Sequence, residues 1–329
     1  MMNIIEFNRL KEEIDKPDYH ETFDKETISA LIAAAEHEEK QARKTLSNLL
    51  NSREYEGIYD VMDNELYHST KHQSATNLRD FMGWCGEGAM ENKTNSKKQT
   101  KEMLEGDLIH HKIEFKEHES KFAVAPDVDR RTTDGKAKFA EFEAGLGHRK
   151  AITEAQLIMA NDCMDRVWSD SDARLFLENG KMERSGFCEI MGVPVKARPD
   201  IDCSHVPHSE NFPCLVDIKT RKNGFAHEDK WLKDFFKEKV YLQVGLQILV
   251  WRQIGYQVEE YVHILVERGN PHCVNVIKLP KSWINASILQ THYAIEKWKS
   301  WLESGSPKSY GAGIKTLAFP DWMEMKLAI

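Results

Sequence analysis

The run Cys214-Leu215-Val216-Asp217-Ile218-Lys219 constrains this chain more than any other stretch, because it sets an acid and a lysine inside a segment that reads as buried. Its branched apolar residues predict a short core strand. Side chains alternate along a strand, so Asp217 and Lys219 share one face while Val216 and Ile218 enter a core on the other. A lysine on such a strand needs a partner. Upstream, residues 187–190, Met191-Gly192 and residues 193–197 predict a β-hairpin, and Arg198-Pro199-Asp200 then ends a strand. A further hairpin brings Asp200 beside Asp217, with polar, turn-rich residues 205–213 as the loop between.

Two carboxylates and a lysine so placed are a donor set for Mg²⁺, with Mn²⁺ as the alternative ion. The acids hold the cation through oxygen, and water and a phosphate complete the shell. Lys219 then orients a water or stabilises charge on a phosphodiester. Asp-x-Lys alone is a weak signal, since in a chain that is 30% charged it arises by chance as a solvated strand face. The flanking strand and loop signals carry the reading.

At 329 residues, with 41% hydrophobic content, the chain can bury a sizeable core. It contains no apolar run of about 18 residues or more, and its first 16 residues are too charged for a signal peptide, so a cytoplasmic protein with no membrane partner is expected. Six cysteines without Cys-x-x-Cys spacing argue against a zinc ribbon or iron–sulfur cluster and for reduced thiols. The net charge of −8 does not favour nucleic acid as a partner, but a local basic channel suffices for one. Lysine and arginine gather at residues 93–101, read as a solvated loop, and at residues 219–222.

Helical periodicity follows Asp24 at Ile28, Leu31, Ile32 and Ala35, predicting a helical N-terminal extension over residues 1–57 ahead of a main domain over 58–329. Ser74 caps a helix through Leu78, Phe81 and Met82, and residues 91–99 read as a loop. Residues 106–115 read as a helix bearing His110 and His111, residues 122–125 as a strand, and residues 127–136 as irregular. One long helix is predicted over residues 153–177, an apolar helix over 241–254, two strands over 260–267 and 272–279, and a closing helix over 282–302. This order implies an α/β fold with a mixed central β-sheet flanked by helices.

Taken in order, several pieces resemble the RecE-type (exonuclease VIII) nuclease domain of phage and prophage recombination systems, within the PD-(D/E)xK superfamily. They are Tyr67-His68 with Ser74, Gly106-Asp107-Leu108-Ile109-His110, Phe122-Ala123-Val124-Ala125-Pro126 with Arg130-Arg131-Thr132 and Gly135-Lys136, Lys196-Ala197-Arg198-Pro199-Asp200, Asp217-Ile218-Lys219-Thr220, Tyr241-Leu242-Gln243 and Val266-Glu267. The resemblance spans roughly residues 58 to 300. It implies a PD-(D/E)xK, restriction-endonuclease-like core and a metal-dependent 5′→3′ exonuclease acting on ends of linear double-stranded DNA. It further implies a ring-like homo-oligomer and a partner single-strand annealing protein of the RecT type, to which the single-stranded product passes for recombination. The loop between the two acids is longer than in the compact motif, which puts it near the DNA entrance. Related nucleases often carry Gln-x-x-x-Tyr on the helix after the lysine; here Gln243 is followed four residues on by Gln247.

The candidate site residues follow. Asp200, Asp217, His110 and Glu183 are expected at the metal, and Lys219, Asp200, Asp217, His110 and Gln243 at the chemistry. Arg130, Arg131, Lys136 and Lys222 are expected on the DNA backbone. His111 is the competing histidine, and an exposed charged loop is the competing account of the arginines. Two other functions remain open: a structure-specific or restriction-type endonuclease on the same fold, and a non-catalytic DNA-binding or assembly protein.

Overall fold

The computed structural model describes residues 57–60, 62, 64–94, 99–306, 308–310 and 313–314. The helical extension expected over residues 1–57 lies outside the described residues except for Gly57, which opens the first strand. In chain order the elements are β1 (Gly57–Tyr59), α1 (Asn64–Ser69), α2 (Ala75–Gly83), α3 (Gly86–Thr94), α4 (Lys101–Phe115), β2 (Phe122–Val124), α5 (Thr133–Ala144) and β3 (Lys150–Ile152). Then come α6 (Glu154–Ser169), α7 (Ser171–Asn179), β4 (Lys181–Met182), β5 (Ser185–Ile190), β6 (Val193–Ala197), β7 (Ile201–Cys203) and β8 (Cys214–Arg221). The chain continues through α8 (Glu228–Lys237), α9 (Val240–Gln253), β9 (Glu260–Glu267), β10 (Val274–Lys278) and α10 (Lys281–Glu303).

The central sheet has the order β10-β9-β8-β7-β4. It is mixed: β8 and β9 run parallel, whereas β10–β9, β7–β8 and β4–β7 are antiparallel. A second sheet, β1-β5-β6, and a parallel pair, β2–β3, complete the strands among the described residues. The alternation read on β8 is observed. Val216 and Ile218, with Val262, Ile264 and Val266 of β9, pack against Leu108, Ile109 and Ile113 of α4 and Ala160, Cys163 and Val167 of α6. Leu215, Tyr261 and Leu265 face the other way, into a core with Val244, Ile248 and Trp251 of α9 and Trp298 of α10. Burying each such side chain contributes about 1.5–3 kcal/mol, so the strand that carries Asp217 and Lys219 is fixed between two cores.

Local chemistry explains the ends of these elements. β5 and β6 pair with Ile190 opposite Val193, leaving Met191 and Gly192 as a two-residue turn with φ of 55° and 80°. That is the left-handed geometry which matches hairpin twist. Ser74 caps α2 in a capping box with Asn77, and Thr153 caps α6 in another with Gln156.

The structure corrects several expectations. The long helix over 153–177 is two helices. Asp170 ends α6 and its carboxylate accepts hydrogen bonds from the Asp172 and Ala173 amides, so it caps α7 instead. Residues 127–136 are not irregular throughout, because Thr132 caps α5 from within them. α3 runs into the stretch read as a loop, and α8 was not read at all. Asp200 does not end a strand but stands just before β7, whose Ile201 pairs with Val216. The loop 204–213 therefore leaves the opposite end of the β7–β8 ladder from Lys219. It packs through Phe212 on Phe176 and is held by Lys278 Nζ on the Glu210 carbonyl, away from the two acids. The six cysteines are free thiols, and no helix among the described residues is long and apolar enough to cross a membrane.

Candidate active site

α4 carries a candidate metal-ligating face. Thr100 caps the helix by accepting from the Met103 amide at 3.2 Å. Residues four apart share a stripe, so Gly106, His110 and Glu114 line one side. Gly106 lets the helix approach β8, since a Cβ there would lie 3.1 Å from Thr220 Oγ1. His110 Nδ1 lies 3.7 Å from Asp200 Oδ2, and His110, Glu114 and Asp200 each offer a ligand atom within 4.8 Å of the others. Glu114 Oε1 is buried with no hydrogen-bond partner among the described residues. A lone buried carboxylate oxygen aimed at a histidine and a second carboxylate is a donor set without its acceptor. A divalent cation with mixed oxygen and imidazole preference fits it.

Electrostatics support the same reading. Burial raises the Asp200 carboxyl well above the usual range, and the neighbouring charge of Asp217 raises it further. Glu114 is raised well above its ordinary value by burial, then by Glu183 and Asp200. Burial lowers the His110 imidazole, with Asp217 pulling the other way. Without a cation the cluster favours protonated acids and a neutral histidine.

Beside it, β8 aligns a second group. Asp200 Oδ2 accepts from the Ile218 amide at 2.5 Å, which pins this acid between Asp217 and Lys219. Lys219 Nζ forms an ion pair with Asp217 Oδ2 and donates to Gln243 Oε1 at 3.0 Å. Gln243 Nε2 donates to Asp217 Oδ1 at 2.5 Å. Asp217, Lys219 and Gln243 thus form a closed triangle between β8 and the first turn of α9.

Glu183, in left-handed conformation at φ 52°, donates its amide to the Asp200 carbonyl and accepts from Arg198 Nη1 at 3.2 Å. It lines the cleft and acts on Glu114 and Asp200 through charge, outside the three-residue cluster. Arg198 also bonds Ser185 Oγ and the Met62 carbonyl and lies 4.1 Å over the Tyr67 ring. Gln247, at the position where related nucleases often carry a tyrosine, donates to the Arg198 carbonyl at 3.1 Å and accepts from Tyr261 Oη at 2.6 Å. A tyrosine hydroxyl thus reaches Gln247 from β9 instead of standing on α9.

Of the residues expected on DNA, Lys222 lines a wide cavity of about 1340 Å³ that opens over His110 and Glu114. Arg130 stacks on Phe139 at 3.8 Å, and Arg131 and Lys136 are exposed. None of these three lines that cavity. His111 turns away from Asp200: its Nε2 contacts Glu117 Oε1 at 2.8 Å and Ser120 Oγ at 3.2 Å. Sequence reasoning missed Glu114. Its signal was the spacing His110-x-x-x-Glu114 on a predicted helix, which puts the glutamate on the histidine's own stripe.

With this geometry in view, the comparisons decide the family. Residues 74–313 match the PDDEXK-like domain of unknown function (DUF3799). The chain belongs to this family. The PDDEXK-like fold also appears in a crystal structure from Eubacterium rectale described as a "Putative exonuclease". That protein is 14% identical and aligns with a TM-score of 0.53 over 82% of this chain and 99% of its own. No curated protein matches. The likeness to that structure is one of fold, and nucleases with PD-(D/E)xK sites generally use divalent metals.

Proposed function

We propose that this PDDEXK-like chain is a metal-dependent exodeoxyribonuclease that degrades linear double-stranded DNA from its ends in the 5′→3′ direction. The single-stranded product then passes to a strand-annealing protein for homologous recombination. The observation that carries the hydrolytic reading is the juxtaposition of the His110–Glu114–Asp200 cluster with the Asp217–Lys219–Gln243 triangle. His110, Glu114 and Asp200 are the residues that would hold Mg²⁺ or Mn²⁺, with Asp217 and Glu183 as the adjoining acids. A divalent cation there supplies positive charge to a phosphodiester oxygen and acidity to a water. Lys219, held by Gln243, positions a water or a phosphate oxygen at the same face. End polarity, the annealing partner and a ring-like homo-oligomer rest on the ordered motif resemblance from Tyr67 to Glu267.

The test is digestion of linear duplex DNA labelled separately at its 5′ and 3′ ends, with Mg²⁺ and with chelator, alongside closed circular DNA. Release of 5′ label first, only with metal and only from linear DNA, is expected. Cutting of the closed circle would favour the endonuclease reading, and binding without cutting the assembly reading.

A further inference from the structure

The cleft does not end at the candidate active site. On the far side of Glu183 a narrower cavity of about 410 Å³ opens over Lys219 and Gln243. It shares Asn64 and Glu183 with the wide cavity over His110. It also shares Arg79 and Lys239 with a third cavity, which is walled by Trp84, Asn92 and Lys237. The three cavities adjoin in that order through these shared walls, and their character changes from one to the next. The wide part mixes acids and bases. The narrow part carries Arg79, Lys196, Arg198, Lys219 and Lys239 against Glu183 as its acid. Arg198 is paired with Glu183 and Lys219 with Asp217. Farther out, Glu238 is taken by Arg221 and Asp80 accepts from Asn92. Arg79 and Lys239 line the groove and form no ion pair with an acid among the described residues, although the Arg79 charge also acts on Glu238 in the outer cavity.

At the outer end stands Trp84, 50% exposed. Its indole lies flat against Gly88, where a Cβ would be 2.3 Å from the ring. One face of the ring is therefore seated on α3, and half of the residue is left to solvent beside Arg79 and Lys239. Lys239 is itself fixed by the chain: it holds left-handed φ and ψ of 53° and 41° at the start of α9 and directs its ammonium onto Gly83. Unpaired cations spaced along a narrow groove, ending on a seated aromatic ring, are the elements that hold single-stranded nucleic acid by phosphate contact and base stacking.

We propose that this groove carries a single DNA strand on the lysine side of the candidate active site, its phosphates on Arg79 and Lys239 and a base stacked on Trp84. The inference rests on the nuclease reading only in that the groove opens at Lys219. A labelled oligothymidylate, titrated with chelator present so that no cutting intervenes, tests it by fluorescence anisotropy. Trp84→Ala is expected to weaken binding about 5-fold or more and Trp84→Phe to restore most of it. Arg79→Ala with Lys239→Ala is expected to lower the slope of log affinity against log salt by about 1.4. Should Trp84→Ala not fold, a 5-iodouracil oligonucleotide photocrosslinked to the unmodified protein gives the same answer: an adduct on Trp84 supports the groove, and adducts confined to the Lys222 side overturn it. Unchanged affinity in Trp84→Ala, or an unchanged salt slope, also overturns it. Hydrolysis of linear duplex by the unmodified protein with Mg²⁺ is scored separately. If cutting is absent while Trp84 binds the strand, the nuclease reading falls and the groove stands; if cutting is present while Trp84 is silent, the groove alone falls.

Discussion

Glu114 stands one helical turn beyond His110 on α4, and both reach the carboxylate of Asp200. The helix thus supplies two of the three candidate ligands, and the approach to β7 supplies the third. Glu114→Gln is expected to cut metal-dependent DNA hydrolysis on the order of 10²-fold. The same change should raise the melting temperature of the metal-free protein at pH 8. The folded-state pKa of Glu114 lies above its unfolded value, so its penalty on folding is absent at low pH. The penalty grows as pH rises through the unfolded value toward the folded one, and a neutral amide removes it. Calorimetric melting with chelator checks the second effect; a lower melting temperature at pH 8 would show that Glu114 is a stabilising partner and not a ligand in waiting.

The same shifts fix the pH dependence of cation binding. Asp200 and Glu114 are both raised, so a cation must displace protons to reach them. Affinity for Mn²⁺ should rise with pH, and titration calorimetry in buffers of different ionisation enthalpy should record net proton release on binding. Proton-neutral binding would mean that the cation sits elsewhere.

His110 and His111 diverge by about 100° on the helix. His110 faces Asp200, and His111 packs on Glu117 and Ser120. His110→Ala should reduce turnover far more than His111→Ala, whereas His111→Ala should cost about 1–2 kcal/mol in denaturant stability through its lost hydrogen bonds. Equal losses of turnover from the two would reverse the assignment.

How much of this was legible depends on how far along the chain each signal reaches. The hairpin at Met191-Gly192, the alternation on β8 and the cap at Ser74 are local, and the sequence shows them. Gln243 was found through the resemblance of Tyr241-Leu242-Gln243 to a nuclease motif, and it stands on α9, with α8 between it and the lysine strand. Glu114 was missed because the His110-x-x-x-Glu114 stripe gains its meaning only from Asp200, which arrives from nearly ninety positions downstream. The split at Asp170 was missed for a different reason: apolar periodicity continues across it, and only the short side chain of Asp170 turning to the Asp172 and Ala173 amides ends one helix and starts another. The loop 204–213 was misplaced because strand direction, which decides which end of the ladder it leaves, is set by Asp200 preceding β7 rather than closing β6.

A buried network holds the sheet that presents these groups. Asp202 on β7 is fully buried and accepts from Arg184 Nη1 at 2.7 Å, Trp251 Nε1 at 2.9 Å and the Ser204 amide at 2.8 Å. Asp202→Ala leaves a buried guanidinium and an indole N–H without this acceptor. It should destabilise by about 3 kcal/mol, read as a shifted denaturant midpoint at constant slope. A shift under about 0.5 kcal/mol would mean that Asp60, the second partner of Arg184, suffices for the pair.

Lys219 distinguishes position from charge. Its ammonium is wedged between Asp217 and Gln243, and the Lys219 side chain is 22% exposed. Lys219→Ala strips the counter-charge from a buried carboxylate, so it should cost about 3–5 kcal/mol of stability and confuse any activity measurement with loss of fold. Lys219→Arg keeps the charge and should melt near the unmodified protein. A guanidinium is planar and wider than an ammonium and bonds a carboxylate as a fork, so it would grip Asp217 while losing the point contact with Gln243 and the direction toward the cleft. Turnover should therefore fall on the order of 10²-fold while affinity for DNA, measured with chelator, stays within a few-fold. Full activity of Lys219→Arg would reduce the residue to background positive charge and remove the Asp217–Lys219–Gln243 triangle from the chemistry.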